Sequence, residues 1–265
     1  MAEQDLLRLR GLRVAADRKV LVDGMSLDLR PGHITALVGR SGSGKTLTAR
    51  ALLGLVGCTP GVVAGSLEIT VDGKLHRPYA STDPRARERA FRPLRGAVVG
   101  YLPQDTQASL DPLRRVGAQV TLALRLAGRP LDPVPWLQKA GLPNAAAVAR
   151  LHPHELSGGM AQRVVIAQAL ARGSRYLLAD EPTTGLDPTH QDALLDELCA
   201  LRDQGVGVLF ITHDLRLVPR VADRLLVMHG GRLLEDLPAR AMDQLTSPQA
   251  LALVDATTRI AGGVL

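Results

Sequence analysis

Aromatic side chains are scarce in this chain. They make up 2% of its 265 residues: one tryptophan, three tyrosines and two phenylalanines. The densest basic run, Arg85, Arg87, Arg89, Arg92 and Arg95, is broken by Glu88 and holds one aromatic, Phe91, rather than a series of them. It therefore lacks the stacking platforms of a single-strand nucleic-acid groove and reads as a solvated surface segment leading into a strand. Cysteine is nearly absent as well. Cys58 and Cys199 are isolated and make no metal-ligand spacing, as expected of a reduced, cytosolic protein. His152 and His154 stand at i, i+2, a spacing that suits packing beside the helical segment rather than metal. No uncharged apolar run reaches 18 residues, so nothing in the sequence predicts a membrane-spanning helix. The opening "MAEQDLLRLR" has no basic start followed by an apolar core, unlike a secretion signal. Lysine is rare, with only Lys19, Lys45, Lys74 and Lys139 among 32 basic residues, yet the net charge is +6. Such a balance suits nucleic acid or an anionic membrane surface.

What is present is a chain long enough for one large domain, or a domain with a small subdomain. Strand-like and helix-like runs alternate, which predicts an α/β fold. "LLRLRGLRV" and "MSLDLRPG" alternate as half-exposed antiparallel strands, and "GSLEITVDGKL" reads as a hairpin turning at Asp72-Gly73. "HITALVG", "GAVVGYLPQ", "RYLLADEP", "GVLFITHD" and "RLLVMHGGRLLE" read as further strands, and "TLTARALLGLV" as a helix. From about 106 to 151 the pattern is helical throughout ("RRVGAQVTLALRLAG", "VPWLQKAGL"), and after Glu235 a short helical tail follows. Polar residues with chemical potential come directly after apolar strands: Gly39, Gln104, Asp180-Glu181 and His213. In a parallel sheet, ligands bind at the carboxyl ends of the strands, so four strands would deliver their loops to one edge.

The run Gly39-Arg40-Ser41-Gly42-Ser43-Gly44-Lys45-Thr46 fits the phosphate-binding loop in full. Its glycines let backbone N–H groups turn inward around phosphates, and the helix after it presents its positive end. Lys45 would reach the β- and γ-phosphates, and the Thr46 hydroxyl would hold Mg²⁺. Asp180 suits the same Mg²⁺, directly or through water. Glu181, next to it, would polarise the attacking water. Gln104 could coordinate Mg²⁺ or orient water, and His213 could bond the γ-phosphate and hold Glu181. Asp187, in "TTGLDPT", suits contact across an interface.

A second glycine-rich helix entry, "LSGGMAQR", starts at Leu156. Ser157 is an apt helix N-cap, and Gly158-Gly159 expose backbone N–H groups to an anion. If the helical insertion forms a separate lobe, this grip cannot close on the nucleotide of its own chain. A second chain turned by a two-fold would bring it onto the partner's nucleotide.

Taken in order, "GRSGSGKT", Gln104, "LSGGM" (Leu156, Ser157, Gly158, Gly159, Met160), "LLADEP", Asp187 and His213 resemble the ATP-binding subunit of an ABC transporter over about residues 6 to 255. "GRSGSGKTLTARALLGLV", "DTQASLDPL", "HPHELSGGMAQR" and "ADEPTTGLDPT" are similar to the dipeptide, oligopeptide and nickel importer branch. The resemblance implies a P-loop NTPase of the ABC ATPase fold, with an antiparallel β subdomain and a helical subdomain inserted at about 106–165. The ATPase domain would cover 1–235, and a tail 236–265. It also implies head-to-tail dimerisation with a second ATPase, identical or a paralogue, and ATP hydrolysis with Mg²⁺. Two membrane permease subunits, an outside solute-binding protein and a place on the cytoplasmic face of the cell membrane follow from the same resemblance. Family members often stack an aromatic on adenine from the first strand, where this chain has Ala15 and Ala16 in "RVAADRK". The long cysteine-bearing tail of some peptide importers is missing from "DQLTSPQALALVDATTRI". Both features resemble the nickel-type subunit, with a peptide importer ATPase as the alternative. Nucleic-acid-acting relatives carry a long coiled coil before the signature or two cassettes in one chain; this chain has neither, so no nucleic-acid partner is expected.

Overall fold

A computed structural model describes residues 5–260, with 256–260 as backbone only. The outer ends of the ranges above, 1–4 and 261–265, lie outside the described residues. Strand β1 (Leu6–Ala16) buries Leu7 and Leu9 and exposes Arg8 between them and Arg10 after them. Strand β2 (Lys19–Leu29) pairs antiparallel with β1 and starts six residues before the alternating run read from the sequence at Met25. Its early residues are held by this pairing, through Val20 opposite Ala15 and Val22 opposite Val14.

Strand β3 (Ile34–Val38) leads into helix α1 (Lys45–Leu52). Strand β4 (Pro60–Val71) and short β5 (Lys74–His76) complete an antiparallel sheet of order β2-β1-β4-β5. Like β2, β4 is longer than its sequence signature, because β1 pairs with it back to Pro60. Helix α2 (Pro84–Phe91) is capped by Asp83, which accepts from the N–H groups of Arg85 and Ala86. The arginine run thus lies largely on a short surface helix, a helix the alternating pattern did not announce. Arg95 there pairs with Glu88, and the Arg87 guanidinium lies 5.3 Å from the centre of the Tyr79 ring.

Strand β6 (Val99–Leu102) is followed by helices α3 (Val116–Leu126), α4 (Val134–Lys139) and α5 (Ala145–Val148), with no strand among them. Helix α6 (Gly158–Arg172) then returns the chain to β7 (Tyr176–Asp180). Helix α7 (Pro188–Asp203), β8 (Gly207–Thr212), α8 (Val218–Val221), β9 (Arg224–His229) and β10 (Arg232–Pro238) follow. The second sheet has the order β10-β9-β3-β8-β7-β6, parallel except for β10. Its central strands β3, β7 and β8 are buried along their whole length.

That burial explains why these strands read as continuous apolar runs. They still alternate, but between two cores. Ala36, Val38, Ala179 and Phe210 face one core, shared with α3, α4, α6 and α7. Leu37, Leu178 and Ile211 face the other, shared with the antiparallel sheet. After β10, helix α9 (Pro248–Ile260) sends Ala250 and Leu253 into the first core, so the described tail packs against the sheet domain. Because β3, β6, β7 and β8 are parallel, their carboxyl ends place Gly39, Gln104, Asp180-Glu181 and His213 along one edge.

Candidate nucleotide site

A cavity of about 590 Å³ opens on that edge. The phosphate loop from Ser41 to Thr46, with Gln104, Glu181 and the start of β2, contributes to its lining. Gly39 is fixed by the close approach of backbone, and Gly44 by its positive φ together with close neighbours. A Cβ at Gly39 would stand 2.3 Å from the Met228 carbonyl oxygen, and Gly44 holds φ of 102° with the Met228 methyl 2.9 Å from where a Cβ would be. The end of β9 therefore packs against the loop so tightly that no side chain fits. Lys45 is almost fully buried, and its Nζ donates to the carbonyls of Gly39 (2.8 Å) and Arg40 (3.2 Å). Burial pulls its pKa below the ordinary value, while the charges of Glu181 and Asp180 oppose the shift. The Ser43 hydroxyl is buried with no hydrogen-bond partner. An orphaned buried hydroxyl inside a loop of inward N–H groups is the environment a bound phosphate completes.

The carboxylates stand across from the loop. Asp180 is buried, and its Oδ1 accepts from the Thr46 hydroxyl at 2.9 Å. Its Oδ2 accepts from the Tyr101 phenol at 2.8 Å. Burial first, and then the Asp180 charge, push the Tyr101 pKa up to about 12, so the phenol stays protonated as a donor. Glu181 has a left-handed backbone, φ 48°, rare for a residue with a side chain and costing on the order of 1–3 kcal/mol. Its N–H donates to the Ile211 carbonyl at the end of β8, which holds the turn. Glu181 Oε1 then lies 3.6 Å from Lys45 Nζ. Its Oε2 is 3.3 Å from His213 Nδ1 and 3.3 Å from the Thr184 hydroxyl. Gln104 is exposed on the cavity lining. The Thr46 hydroxyl and the Asp180 carboxylate are hard oxygen donors of the kind Mg²⁺ takes, and Gln104 lines the same cavity as Thr46.

The chain is similar to known proteins. The ABC transporter family profile matches residues 22–184. A putative peptide import ATP-binding protein of Brucella abortus is 37% identical over 91% of this chain and 73% of its own length. The chain belongs to the ABC transporter ATP-binding family. The nickel import ATP-binding protein NikD of Brucella suis is also 37% identical, over 89% of this chain and 86% of its own length. Among solved structures, cbiO1 from Clostridium perfringens, part of the cbiONQ transporter complex, aligns with a TM-score of 0.74 at 22% identity, covering 98% of each chain. That likeness concerns the fold: the α/β P-loop architecture read from the sequence is the one the chain adopts. As a member of this family it is an ATP-hydrolysing subunit of an ABC importer, working with membrane permease partners. No helix among the described residues is long and apolar enough to cross a membrane.

The ABC signature stretch stands apart from the nucleotide cavity, whose lining includes none of Leu156 to Met160. Ser157 caps α6, its hydroxyl accepting from the Met160 N–H at 3.2 Å. A Cβ at Gly158 would meet nothing within 4 Å, and one at Gly159 only the His190 ring, at 3.7 Å. These glycines are thus bare toward open space, not packed against the fold. Leu156 is buried and Met160 half-buried against the first core. Asp187 caps α7, accepting from the N–H groups of Thr189 and His190 and lying 2.6 Å from His190 Nδ1. Those N–H donors from His190 hold its carboxyl below the usual range. His152 and His154 stack with ring centres 5.6 Å apart.

Three contacts in and around the candidate site escaped the sequence reading. Tyr101 sits inside the apolar run "VGYL", where a tyrosine reads as core. Thr184 lies three residues past Glu181, in a turn whose geometry the sequence does not reveal. Gln162 is buried on α6 and donates to the Pro182 carbonyl, tying the signature helix to the loop after Glu181. A polar residue at a core position of an apolar helix is the one signal that pointed to it.

Proposed function

We propose that this chain energises the uptake of nickel or a metal chelate, as one of two ATPases bound head to tail beneath a pair of membrane permeases. An outside solute-binding protein delivers the substrate, and the chain works at the cytoplasmic face of the cell membrane. The observation that carries the ATPase assignment is the convergence of Lys45, Thr46, Asp180, Glu181 and His213 at one sheet edge. The metal reading rests on Ala15 and Ala16, where relatives place an aromatic. A peptide importer ATPase is the second reading, favoured by the name of the Brucella abortus relative.

In this reading Thr46, Asp180 and Gln104 would hold Mg²⁺, which would supply charge neutralisation to the triphosphate when bound. Lys45 and the loop N–H groups orient the triphosphate. Glu181 accepts a proton from the attacking water, with its Oε2 steered by His213 and Thr184. Ser157, Gly158 and Gly159 of the second ATPase cover the γ-phosphate, and Asp187 meets that chain across the interface. The open faces of these glycines support this use, since a Cβ at Gly158 would meet nothing and one at Gly159 only the His190 ring.

Uptake in cells lacking the chain tests the substrate. Loss of nickel or chelate accumulation with peptide uptake intact upholds the metal reading, and the reverse moves the protein to the peptide branch. Glu181→Gln tests the site: it should trap an ATP-bound dimer, and normal turnover by the variant complex refutes the base assignment.

A further inference from the structure

A second cavity, of about 620 Å³, opens on the opposite edge of the large sheet. Val98, Arg175 and Val206, which lead into β6, β7 and β8, line it. The nucleotide cavity lies at the carboxyl ends of those parallel strands, and no residue lines both. At about 3.3 Å per residue, the five residues of β7 keep the two edges on the order of 16 Å apart. The helical segment supplies the other wall, through Arg129, Trp136 and Lys139. The volume is that of a small-molecule site, roughly 300–1,000 Å³.

The charge on this lining is one-sided. Arg129, Lys139, Arg172 and Arg175 stand with a single carboxylate, Asp72. Arg175 takes that carboxylate, at 2.8 Å. Among the described residues, Arg129, Lys139 and Arg172 have no ion-pair partner. Helix ends account for part of the gathering. Helices α3, α6 and α7 are capped at Ala127, Gly173 and Gln204 on the lining, and each carboxyl end carries a charge of about −0.5. Together these offset roughly half of the three unpaired positive charges. Of the three cations only Arg129 donates to a helix-end carbonyl, that of Leu170 at 3.0 Å. Trp136 fixes the same guanidinium from its ring side, with 4.8 Å between the guanidinium carbon and the ring centre. Lys139 Nζ lies 5.8 Å from the same ring centre. A held guanidinium fork with further cations beside it suits a phosphate anion. One carboxylate would leave most of this charge unmatched, whereas a diphosphate concentrates several negative charges in one small group.

We propose that this cavity binds a diphosphate group, free or as the tail of a nucleotide, between the helical segment and the amino edge of the sheet. Arg129, Lys139 and Arg172 hold it. The site is separate from the nucleotide cavity and does not depend on which substance is transported.

Trp136 is the only tryptophan of the chain, so its fluorescence reports on this cavity directly. The probe is sodium pyrophosphate, titrated into the full chain carrying Lys45→Ala, with sodium sulfate at matched ionic strength as the control. Emission should change with half-saturation below about 1 mM, and sulfate should bind at least about tenfold more weakly. Adding Lys139→Ala and Arg172→Ala should weaken pyrophosphate binding by roughly a hundredfold, measured also by titration calorimetry because Lys139 touches the reporting ring. With Lys45 restored, that double variant should bind ATP within about twofold of the parent, since the two cavities share no residue. ADP separates the two sources on the Lys45→Ala chain: a response matching that of pyrophosphate assigns the tail of a nucleotide, and no response assigns free diphosphate. No emission change and no heat with pyrophosphate overturns the proposal. So does an equal response to sulfate, or binding that survives the double variant. A response to polyglutamate alone overturns it as well, by making the cavity a seat for an acidic protein segment.

Discussion

Replacing Glu197 by glutamine should make the protein more stable at pH 8 and leave it nearly unchanged at pH 5. Glu197 lies on α7 and is mostly buried, with Arg163 Nε on α6 3.5 Å away. Neither carboxyl oxygen has a hydrogen-bond partner. Burial raises its pKa from 4.5 to about 7, with Arg163 opposing the shift only partly. The folded chain thus holds this proton more tightly than the unfolded chain does. As pH rises from about 4.5 the unfolded chain ionises first, and stability falls until about pH 7, above which the loss is complete. Each pH unit is worth about 1.4 kcal/mol, so the gap between 4.5 and about 7 costs about 3 kcal/mol at pH 8. The glutamine has the same shape and no charge to desolvate, and Arg163, 29% exposed, can turn to water. Allowing for the lost attraction, the gain at pH 8 is about 2 kcal/mol, or a Tm rise of roughly 5 °C. Thermal unfolding of both proteins at pH 5, 6, 7 and 8 reads this directly. A variant equally destabilised at every pH would refute the reasoning, since it would mean that the carboxylate is charged throughout and that its pairing with Arg163 outweighs burial.

Lys45→Ala should weaken ATP binding by well over tenfold, read by equilibrium titration, because its buried ammonium cannot be replaced by water within the loop. Tyr101→Phe removes a hydrogen bond to a buried carboxylate, worth about 1.5–3 kcal/mol. The ATPase kcat should fall several-fold with the KM for ATP within about twofold, and an unchanged kcat would remove Tyr101 from the site's working parts.

The site's chemistry was legible in the sequence wherever a residue type is demanded locally. Gly39 and Gly44 admit nothing else, Lys45 and Thr46 follow them at fixed spacing, and Asp180-Glu181 end an apolar strand. The α/β class was legible too, because strands buried on both faces leave long apolar runs. Strand lengths were less so. The early part of β2 and of β4 is strand only because β1 lies between them, and no short-range pattern encodes a pairing partner. Tertiary structure alone decided the rest. Tyr101 and Thr46 meet on Asp180 across 79 and 134 residues of chain, and Glu181 reaches His213 only because parallel strands end together. The sequence determines which groups can bind phosphate, hold a proton or cap a helix, since those capacities belong to single residues and their neighbours. Distances between groups far apart in the chain belong to the packed sheet.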